Sequence, residues 1–515
     1  MSDAIVKHLN FGEDARNKIF NGINKLTQAV SSTLGASGKC VIMEDNSGNP
    51  IITKDGVTVA NSIVLLDPVE NMGAKLIKEA ARKTVKEAGD GTTTATVIAH
   101  AILMEANKNK DITSRELKKG INTAVEKVVQ YLEKISTPVV EDKIKQVATI
   151  SANNDNDLGL LISKAFESVD NTGIVLMETH ESPITEVERI EGVQYEQGCV
   201  LDHFITNKED KTCELHEPLI LILDSKIDNI RKIQNVLEYI ISEQKSLLII
   251  GDLDPQVISA LAMNKVKGNI KVNVINSPVY GINRKEMLED LSLITGSTVI
   301  NEDLGDDMDL IDISLLGSCK KTISSISETL IQVDEMPIEV QNLINFLRKK
   351  IIKEKNSLIK EKIERRIARL LAKVAVIKVG ANSEIELKEK KDRVEDAICA
   401  TKAAIKEGIV PGGGIALLNA ADNINADNLS EEILFNAIKS PYNTILNNAG
   451  ITNYTNSNVE GEGLNVVTGE TVSMVKSGII DPLLVTKSAL RNAASVASTI
   501  LSTDCVINNL RAWKQ

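Results

Sequence analysis

The sequence predicts a multidomain protein of mixed α and α/β class, in which an α/β segment is inserted into a mainly helical one. Three observations predict this. The chain is 515 residues long, too long for one core and suited to about three domains. Helical periodicity dominates both ends, whereas strand-like runs alternate with helical ones from about 191 to 300. Apolar residues make up 43% of the chain but aromatics only 3%, so the cores must be built from Ile, Leu, Val and Ala.

Residues 15 to 134 read as long amphipathic helices, with periodic stretches at 69–88, 92–108 and 114–134. One irregular passage, 34–60, breaks them. It holds "GKCVIMED" and "NPIITKDGVTVA" around an "NSGNP" turn, the pattern of a hairpin. Short helices and strands are expected over 136–190. The runs "LILIL" and "SLLIIG" then read as strands of an α/β layer. The charged stretch 338–371 carries apolar residues at three- and four-residue steps and predicts a helical hairpin packed on its own domain. After "VAVIKVG" a helix is predicted over 384–407, then the "EGIVPGGG" turn, then helices to the end of the chain. Both termini are therefore expected to be helical.

Composition narrows the partners. A net charge of -12 argues against nucleic acid as the main partner, because a phosphate backbone wants a basic surface; it leaves room for a nucleotide, which needs only a local site. The six cysteines, at 40, 199, 213, 319, 399 and 505, contain no CxxC pair, neither a disulfide framework nor a zinc pattern. The N-terminal "MSDAIVKHLNFGEDARNKIF" shows no leader pattern, and no run approaches the roughly 20 apolar residues of a membrane span. A cytoplasmic protein without a membrane partner is expected.

The stretch "EAGDGTTTATVIAH", residues 87–100, carries the sharpest chemistry. A helix start exposes backbone N–H groups and the positive end of the macrodipole, a seat for phosphate. Gly89 and Gly91 let the backbone approach an anion, and Thr92, Thr93 and Thr94 add hydroxyl donors. Asp90 repels bare phosphate, but fits if Mg²⁺ lies between its carboxylate and the phosphate oxygens. The plainer reading makes Asp90 an N-cap and the threonines spare caps. Other glycine turns are less specific. "TLGASGKC" (33–40) reads equally as a helix C-cap or a ligand cradle, and no GxxxxGK[ST] motif occurs. Lys54 and Asp55 precede Gly56 at what reads as a hairpin end, and "PGGGIALL" (411–418) is either an anion seat or a hinge. Asp396 lies in the middle of a helix, where most carboxylates are simply solvated.

Taken together these pieces resemble one family. "TLG", "ITKDGV", "NMGAKLIKEA", "AGDGTTTATV", "TISANND", "VAVIKVGA", "KEKKDRVEDA", "EGIVPGGG" and "GIIDP" follow one another in the order and spacing of the group I chaperonins, the GroEL type, from Phe11 to about Leu510. The resemblance implies a GroEL-like fold: an equatorial domain (1–136 and 408–515), an intermediate domain (137–190 and 374–407) and an apical α/β domain (191–373). It implies ATP, Mg²⁺ and K⁺ as ligands and a homo-oligomer of two stacked seven-membered rings. It also implies unfolded client proteins, enclosed in a chamber capped by a GroES-type co-chaperonin. Matching motifs place Thr33, Leu34, Gly35 and Ala36 at the nucleotide, with the backbone carbonyls of Thr33 and Lys54 on K⁺. Asp90 would hold Mg²⁺ and Gly91, Thr92, Thr93 and Thr94 the phosphates, while Gly413, Asn465, Val466, Val467 and Asp481 would line base and ribose. Asp396 would orient the attacking water, with Asp55 nearby. Hydrolysis would drive a domain rotation that changes the apical surface shown to the client. That client- and cap-binding face would include Leu201, His203, Phe204, Val236, Leu237, Ile258, Ala262, Met263 and Asn264.

Departures from the family pattern bear on the apical part and on cooperativity. Ala36-Ser37 replaces a Pro-Lys, and Cys199, His203 and Gln234 make the apical face more polar. Gln197 replaces an Arg that pairs across subunits with the acid matching Glu384. Ala372-Lys373 replaces a Gly-Gly hinge, although Gly192 is kept; a positive φ at Lys373 would cost about 1–2 kcal/mol. The family's Gly- and Met-rich tail has no counterpart in the ending "NNLRAWKQ". The intact Asp55, Asp90 and Asp396 favour an ATP-driven folding chamber over a chaperonin-derived holdase or scaffold with a degraded cycle. A metabolic ATP-using enzyme fits poorly, since no second catalytic constellation accompanies the five scattered histidines.

Overall fold

The computed structural model describes residues 7–509, apart from 45–47, 110–111, 140, 153, 170–173, 181, 196, 209–210, 278–281, 307–310, 355–356, 371–372, 453, 455–456 and 458. Ala372 and the ending after Asn509 thus lie outside the described residues. The chain forms two compact units, one made of residues up to 164 with 179–186 and 379 onward, the other of 165–178 and 187–378.

The first unit opens with strand β1 (Lys7–Phe11) and helix α1 (Gly12–Ser31). Ala15, Ile19, Ile23, Leu26 and Val30 are buried along one face of α1, at the spacing of a helical stripe. Strands β2 (Val41–Glu44) and β3 (Pro50–Thr53) form the expected antiparallel hairpin. The "KDG" that follows is not a hairpin end. Asp55 caps the short helix α2 (Gly56–Ser62), its carboxylate accepting from the backbone N–H of Val57 at 3.0 Å and of Thr58 at 2.7 Å, because an Asx side chain satisfies two otherwise orphaned helix donors. Helix α3 (Pro68–Ala88) starts with Asp67 as cap and Pro68 in its first turn, and stops at left-handed Gly89 (φ 74°). Then come α4 (Thr92–Lys108), α5 (Ser114–Ile135) with a Thr113–Glu116 capping box, α6 (Glu141–Ser151) and α7 (Asn156–Val169).

The second unit contains β4 (Ile174–Thr179), β5 (Glu186–Tyr195), β6 (Cys213–His216), β7 (Leu219–Leu223), α8 (Gln234–Ser242), β8 (Ser246–Ile250), α9 (Pro255–Val266), β9 (Lys271–Ile275), α10 (Ile282–Thr295), β10 (Val299–Ile300), β11 (Gly317–Ser318), β12 (Lys321–Ser324), β13 (Thr329–Val333), α11 (Ile338–Lys353), α12 (Ser357–Leu370) and β14 (Lys373–Val379). β10, β7, β8 and β9 pair in parallel in that order, with β11 antiparallel on β7. Both faces of this sheet are covered: Leu221, Leu223, Leu247 and Ile249 point into one apolar cluster, Ile220, Ile222, Leu248 and Ile250 into another. That explains the uninterrupted apolar runs. A second sheet has the order β4-β14-β5-β13-β12-β6. α11 and α12 bury Val340, Ile344, Leu347, Ile363 and Ile367 together with Val193 and Val333 of that sheet, the expected helical pair. Gly192 is required where it stands, since a Cβ would lie 2.7 Å from the Ile331 carbonyl oxygen. Lys373 opens β14, and the extended backbone of a strand has negative φ, so the anticipated strain does not arise.

The chain returns to the first unit with α13 (Glu384–Glu407), β15 (Ile409–Pro411), α14 (Ile415–Asn423), α15 (Leu429–Ala437), α16 (Ser440–Asn448), β16 (Glu462–Asn465), β17 (Glu470–Ser473), β18 (Ile480–Pro482), α17 (Leu483–Leu501) and β19 (Cys505–Asn509). Two expectations are corrected here. The segment after 411 is not all helix, because β16 and β17 form an antiparallel hairpin and β18 pairs with β15. Nor do the described residues begin and end in helices, because β1 and β19 form an antiparallel pair from Lys7↔Asn509 to Phe11↔Cys505. The unit's main core is aliphatic, with Ile23, Leu26, Ile77, Ile98, Ile102, Leu103, Ile121 and Leu132 fully buried around α4 and α17.

Candidate functional site

Within the first unit, α4 begins without a side-chain cap. Its N-cap is Gly91, held left-handed at φ 94°; a Cβ there would meet Val485 Cγ1 at 2.8 Å. Asp90 is therefore not the helix cap of the plainer reading. Its Oδ1 accepts from the Gly91 N–H at 2.5 Å, and the helix start with Thr92, Thr93 and Thr94 opens on a cavity of about 1110 Å³. The threonines split their roles. Thr92 is buried and its carbonyl accepts from the Thr96 hydroxyl at 2.9 Å, whereas Thr93 and Thr94 are half-buried at the cavity. The backbone comes close because Gly56 faces Thr93, with room for no Cβ between them: one would lie 2.2 Å from the Thr93 hydroxyl oxygen.

The other residues singled out from the sequence line the same cavity. Thr33, Leu34, Gly35 and Ala36 form one wall, with Gly35 at φ 85° and the Thr33 hydroxyl donating to the Val30 carbonyl at 2.8 Å. Lys54 and Asp55 contribute from the start of α2; burial lowers the affinity of Lys54 for its proton. Gly413, left-handed at φ 65°, stands in the turn into α14. Asn465, Val466, Val467 and Asp481 close the far side, and Asn465 Oδ1 accepts from the Val467 N–H at 3.0 Å, shaping the turn between β16 and β17.

Asp396 also reaches this cavity from α13. Gly89 admits the helix, for a Cβ at Gly89 would fall 2.3 Å from Cys399 Cβ, one turn beyond Asp396. Asp396 is thus not a solvated mid-helix carboxylate. Sequence reasoning missed Asp392, which precedes it by one turn and lines the same cavity; the i, i+4 spacing on one helix was the available signal. It also missed Tyr442, whose buried hydroxyl has no partner within the described protein.

Asp55, Asp90, Asp392, Asp396 and Asp481 therefore share one cavity, where burial and then the neighbouring carboxylates raise the proton affinities of Asp392, Asp396 and Asp481. Burial, then Asp90 and Asp55, raise Asp396 well above the usual carboxylate range. Burial followed by Asp55 pushes Asp392 up to about 6. Burial followed by Asp90 pushes Asp481 up to about 7. Asp90 itself is raised by burial, against the stabilising bond from Gly91 N–H. Such a cluster favours cations. Among the described residues no group of three His, Cys, Asp or Glu could hold a metal alone. The donor chemistry suits Mg²⁺, which commonly takes one or two carboxylates and completes its shell with water and phosphate oxygens; the cavity's carboxylates, Asp90 among them, are the residues that could supply them.

The apical expectation divides. Phe204, Val236, Ile258 and Ala262 lie in the second unit's core, at 8% exposure or less. They are packing residues rather than displayed contacts: Val236 of α8 and Ile258 and Ala262 of α9 face the sheet's apolar cluster, and Phe204 of the turn Asp202–Phe204 packs into it. His203 and Met263 are exposed, and Leu201, Leu237 and Asn264 are half-buried. Among the described residues no helix is long and apolar enough to cross a membrane.

Comparison with known proteins agrees with this architecture. The structure is similar to the chaperonin gp146 from the bacteriophage EL 2 (Pseudomonas aeruginosa), crystallised in presence of ATP-BeFx. Crystal form II matches with a TM-score of 0.74 and 22% identity, over 99% of this chain and 100% of that one. Crystal form I matches with a TM-score of 0.66 and 21% identity, over 98% and 99%. The likeness shows a GroEL-like fold. The sequence itself matches the TCP-1/cpn60 chaperonin family over residues 26–511. With that match spanning nearly its whole length, the chain belongs to the TCP-1/cpn60 chaperonin family.

Proposed function

We propose that this protein is an ATP-hydrolysing chaperonin subunit that binds unfolded proteins and promotes their folding in a ring-shaped chamber. The observation that carries the reading is the convergence, around one cavity of a single compact unit, of an uncapped helix start, its threonines, Asp90 and Asp396. The N–H groups opening α4 and the hydroxyls of Thr93 and Thr94 receive the phosphates. Asp90 holds Mg²⁺, which when bound neutralises charge on the phosphate oxygens. The carbonyls of Thr33 and Lys54 take K⁺, and Gly413, Asn465, Val466, Val467 and Asp481 surround base and ribose. Asp396, reaching the cavity from α13, orients the attacking water. Asp55, fixed by its two backbone bonds, stands nearby in the same cavity. The gp146 structures were obtained with an ATP analogue, which supports a nucleotide in this fold.

The reading extends to three domains with the boundaries expected from the sequence, and to a homo-oligomer of two stacked seven-membered rings. It also includes a GroES-type co-chaperonin and a cytoplasmic location. A second reading, a holdase or scaffold with a weakened cycle, is favoured by the polar apical surface, where His203 and Gln234 are exposed and four apolar positions are withdrawn into the core. ATP turnover separates the two. The purified protein is expected to hydrolyse ATP with Mg²⁺, to stop in EDTA, and to lose about 10²-fold or more in turnover on Asp396→Ala. Absence of turnover in the unmodified protein would leave only the second reading, and turnover indifferent to EDTA would remove the role of Asp90.

A further inference from the structure

The second unit brings two cysteines to one strand end and one apolar cluster. Cys213, the first residue of β6, is fully buried, and its partner across the ladder is Ser324 of β12. Cys199 is half-buried and fastened to that same strand end: its N–H donates to the Ser325 carbonyl at 2.8 Å, and its thiol to the Ser324 carbonyl at 3.6 Å. It packs on the apolar cluster that contains Cys213, and each thiol is the largest single influence on the other's proton affinity. Their surroundings are unequal. The Cys213 thiol, the buried Asn273 side chain and the Lys265 ammonium all favour a thiolate on Cys199, holding it below its ordinary range despite burial. The neighbouring Cys199, burial and nearby Glu214 keep Cys213 protonated. Asn273 is itself fixed, its Nδ2 donating to Ser324 Oγ at 2.9 Å. Lys265, from α9, donates to the Phe204 carbonyl and stands 5.9 Å from the centre of that ring. By contrast, burial pushes Cys319 and Cys399 up to about 12.

We propose that Cys199 and Cys213 form a peroxide-responsive dithiol, with Cys199 as the attacking and Cys213 as the resolving thiol. The Cys199 thiolate attacks one oxygen of hydrogen peroxide; the O–O bond breaks, leaving a sulfenic acid on Cys199 and hydroxide. Cys213 then attacks the sulfenic sulfur, the S–O bond breaks, and water leaves as the disulfide forms. In sum, two thiols and one peroxide give a disulfide and two waters. The bond ties the segment from Cys199 to β6, three residues ahead of the turn Asp202–Phe204 that presents exposed His203, and removes the thiolate that Lys265 faces. This rests on the thiols alone and is independent of the ATP cycle.

The test is a peptide map of the full-length protein after brief treatment with hydrogen peroxide and alkylation. The expected product is a Cys199–Cys213 cross-linked peptide lighter by two hydrogens and restored by dithiothreitol. It should form at least about tenfold faster than oxidation of exposed Cys40. In C213S, dimedone should label Cys199; in C199S it should not label Cys213. The map of the unmodified protein decides the matter whether or not either variant folds. Both thiols still free once Cys40 has oxidised, or each oxidised without a cross-link, would overturn the proposal.

Discussion

Asp481 shows at the residue scale how the carboxylate cavity trades stability for a place to bind. Its proton affinity in the folded protein is raised from the ordinary 3.8 to about 7 by burial and Asp90. A raised value means that the folded state holds the proton more tightly than the unfolded chain. The resulting stabilisation is therefore complete below about 3.8 and is lost as pH rises through about 7. Such a displacement corresponds to about 4 kcal/mol at most, and because Asp481 is half-buried and borders the open cavity, water reduces it to about 1–2 kcal/mol. Asp481→Asn should therefore stabilise the nucleotide- and metal-free protein at pH 8 by about that amount, and by much less at pH 5. Denaturant titrations at the two pH values check this; an equal effect at both would remove the electrostatic account. Asp55, Asp90 and Asp396 were legible because each sits in a distinctive motif. Asp392 was not, because a carboxylate on a charged helix carries no mark until the helix is packed against its target.

Among the elements, the start of α4 matters most, and it depends on glycine. Gly91 combines a positive φ with a Cβ position already taken by Val485. Gly91→Ala should cost about 1–2 kcal/mol for the left-handed backbone alone, and should weaken nucleotide binding more than Gly48→Ala, where φ is also positive but nothing lies within 4 Å of the added Cβ. Thermal denaturation and nucleotide titration of both variants test this, and equal nucleotide affinities would dissociate the turn from the site. The long helices were read within one or two residues because their apolar periodicity is strong. The β1–β19 pair was missed because its partners lie some five hundred residues apart and neither strand shows a buried face. The β16–β17 hairpin was missed because its residues are short-run and half polar. The capping role of Asp55 was available, for Asp before Gly and a helical run is a cap signal, but the neighbouring strand residues drew the reading toward a hairpin.

On the scale of the whole molecule, two units each own a core, and their stabilities are separately addressable. Leu248 is fully buried in the parallel sheet of the second unit. Leu248→Ala should cost about 2–5 kcal/mol, with lost hydrogen-exchange protection confined to 187–378 and nucleotide binding by the first unit retained. Loss of protection throughout the chain would show that the units do not unfold separately. The order helical, mixed, helical was legible in the sequence because periodicity changes twice along it. The distribution of the apical apolar residues between core and surface was not, since a motif match reports position along the chain and not which face of α8 or α9 meets the sheet.

The central claim is that a triphosphate docks at the start of α4 with Asp396 of α13 facing it. A structure of the protein with Mg²⁺ and a non-hydrolysable ATP analogue tests it most directly. The account predicts phosphate oxygens within hydrogen-bond reach of the backbone N–H groups and hydroxyls of Thr92–Thr94, the metal on Asp90, and the Asp396 carboxylate one water away from the terminal phosphate. A nucleotide bound elsewhere, or an Asp396 carboxylate turned from the phosphate, would contradict it.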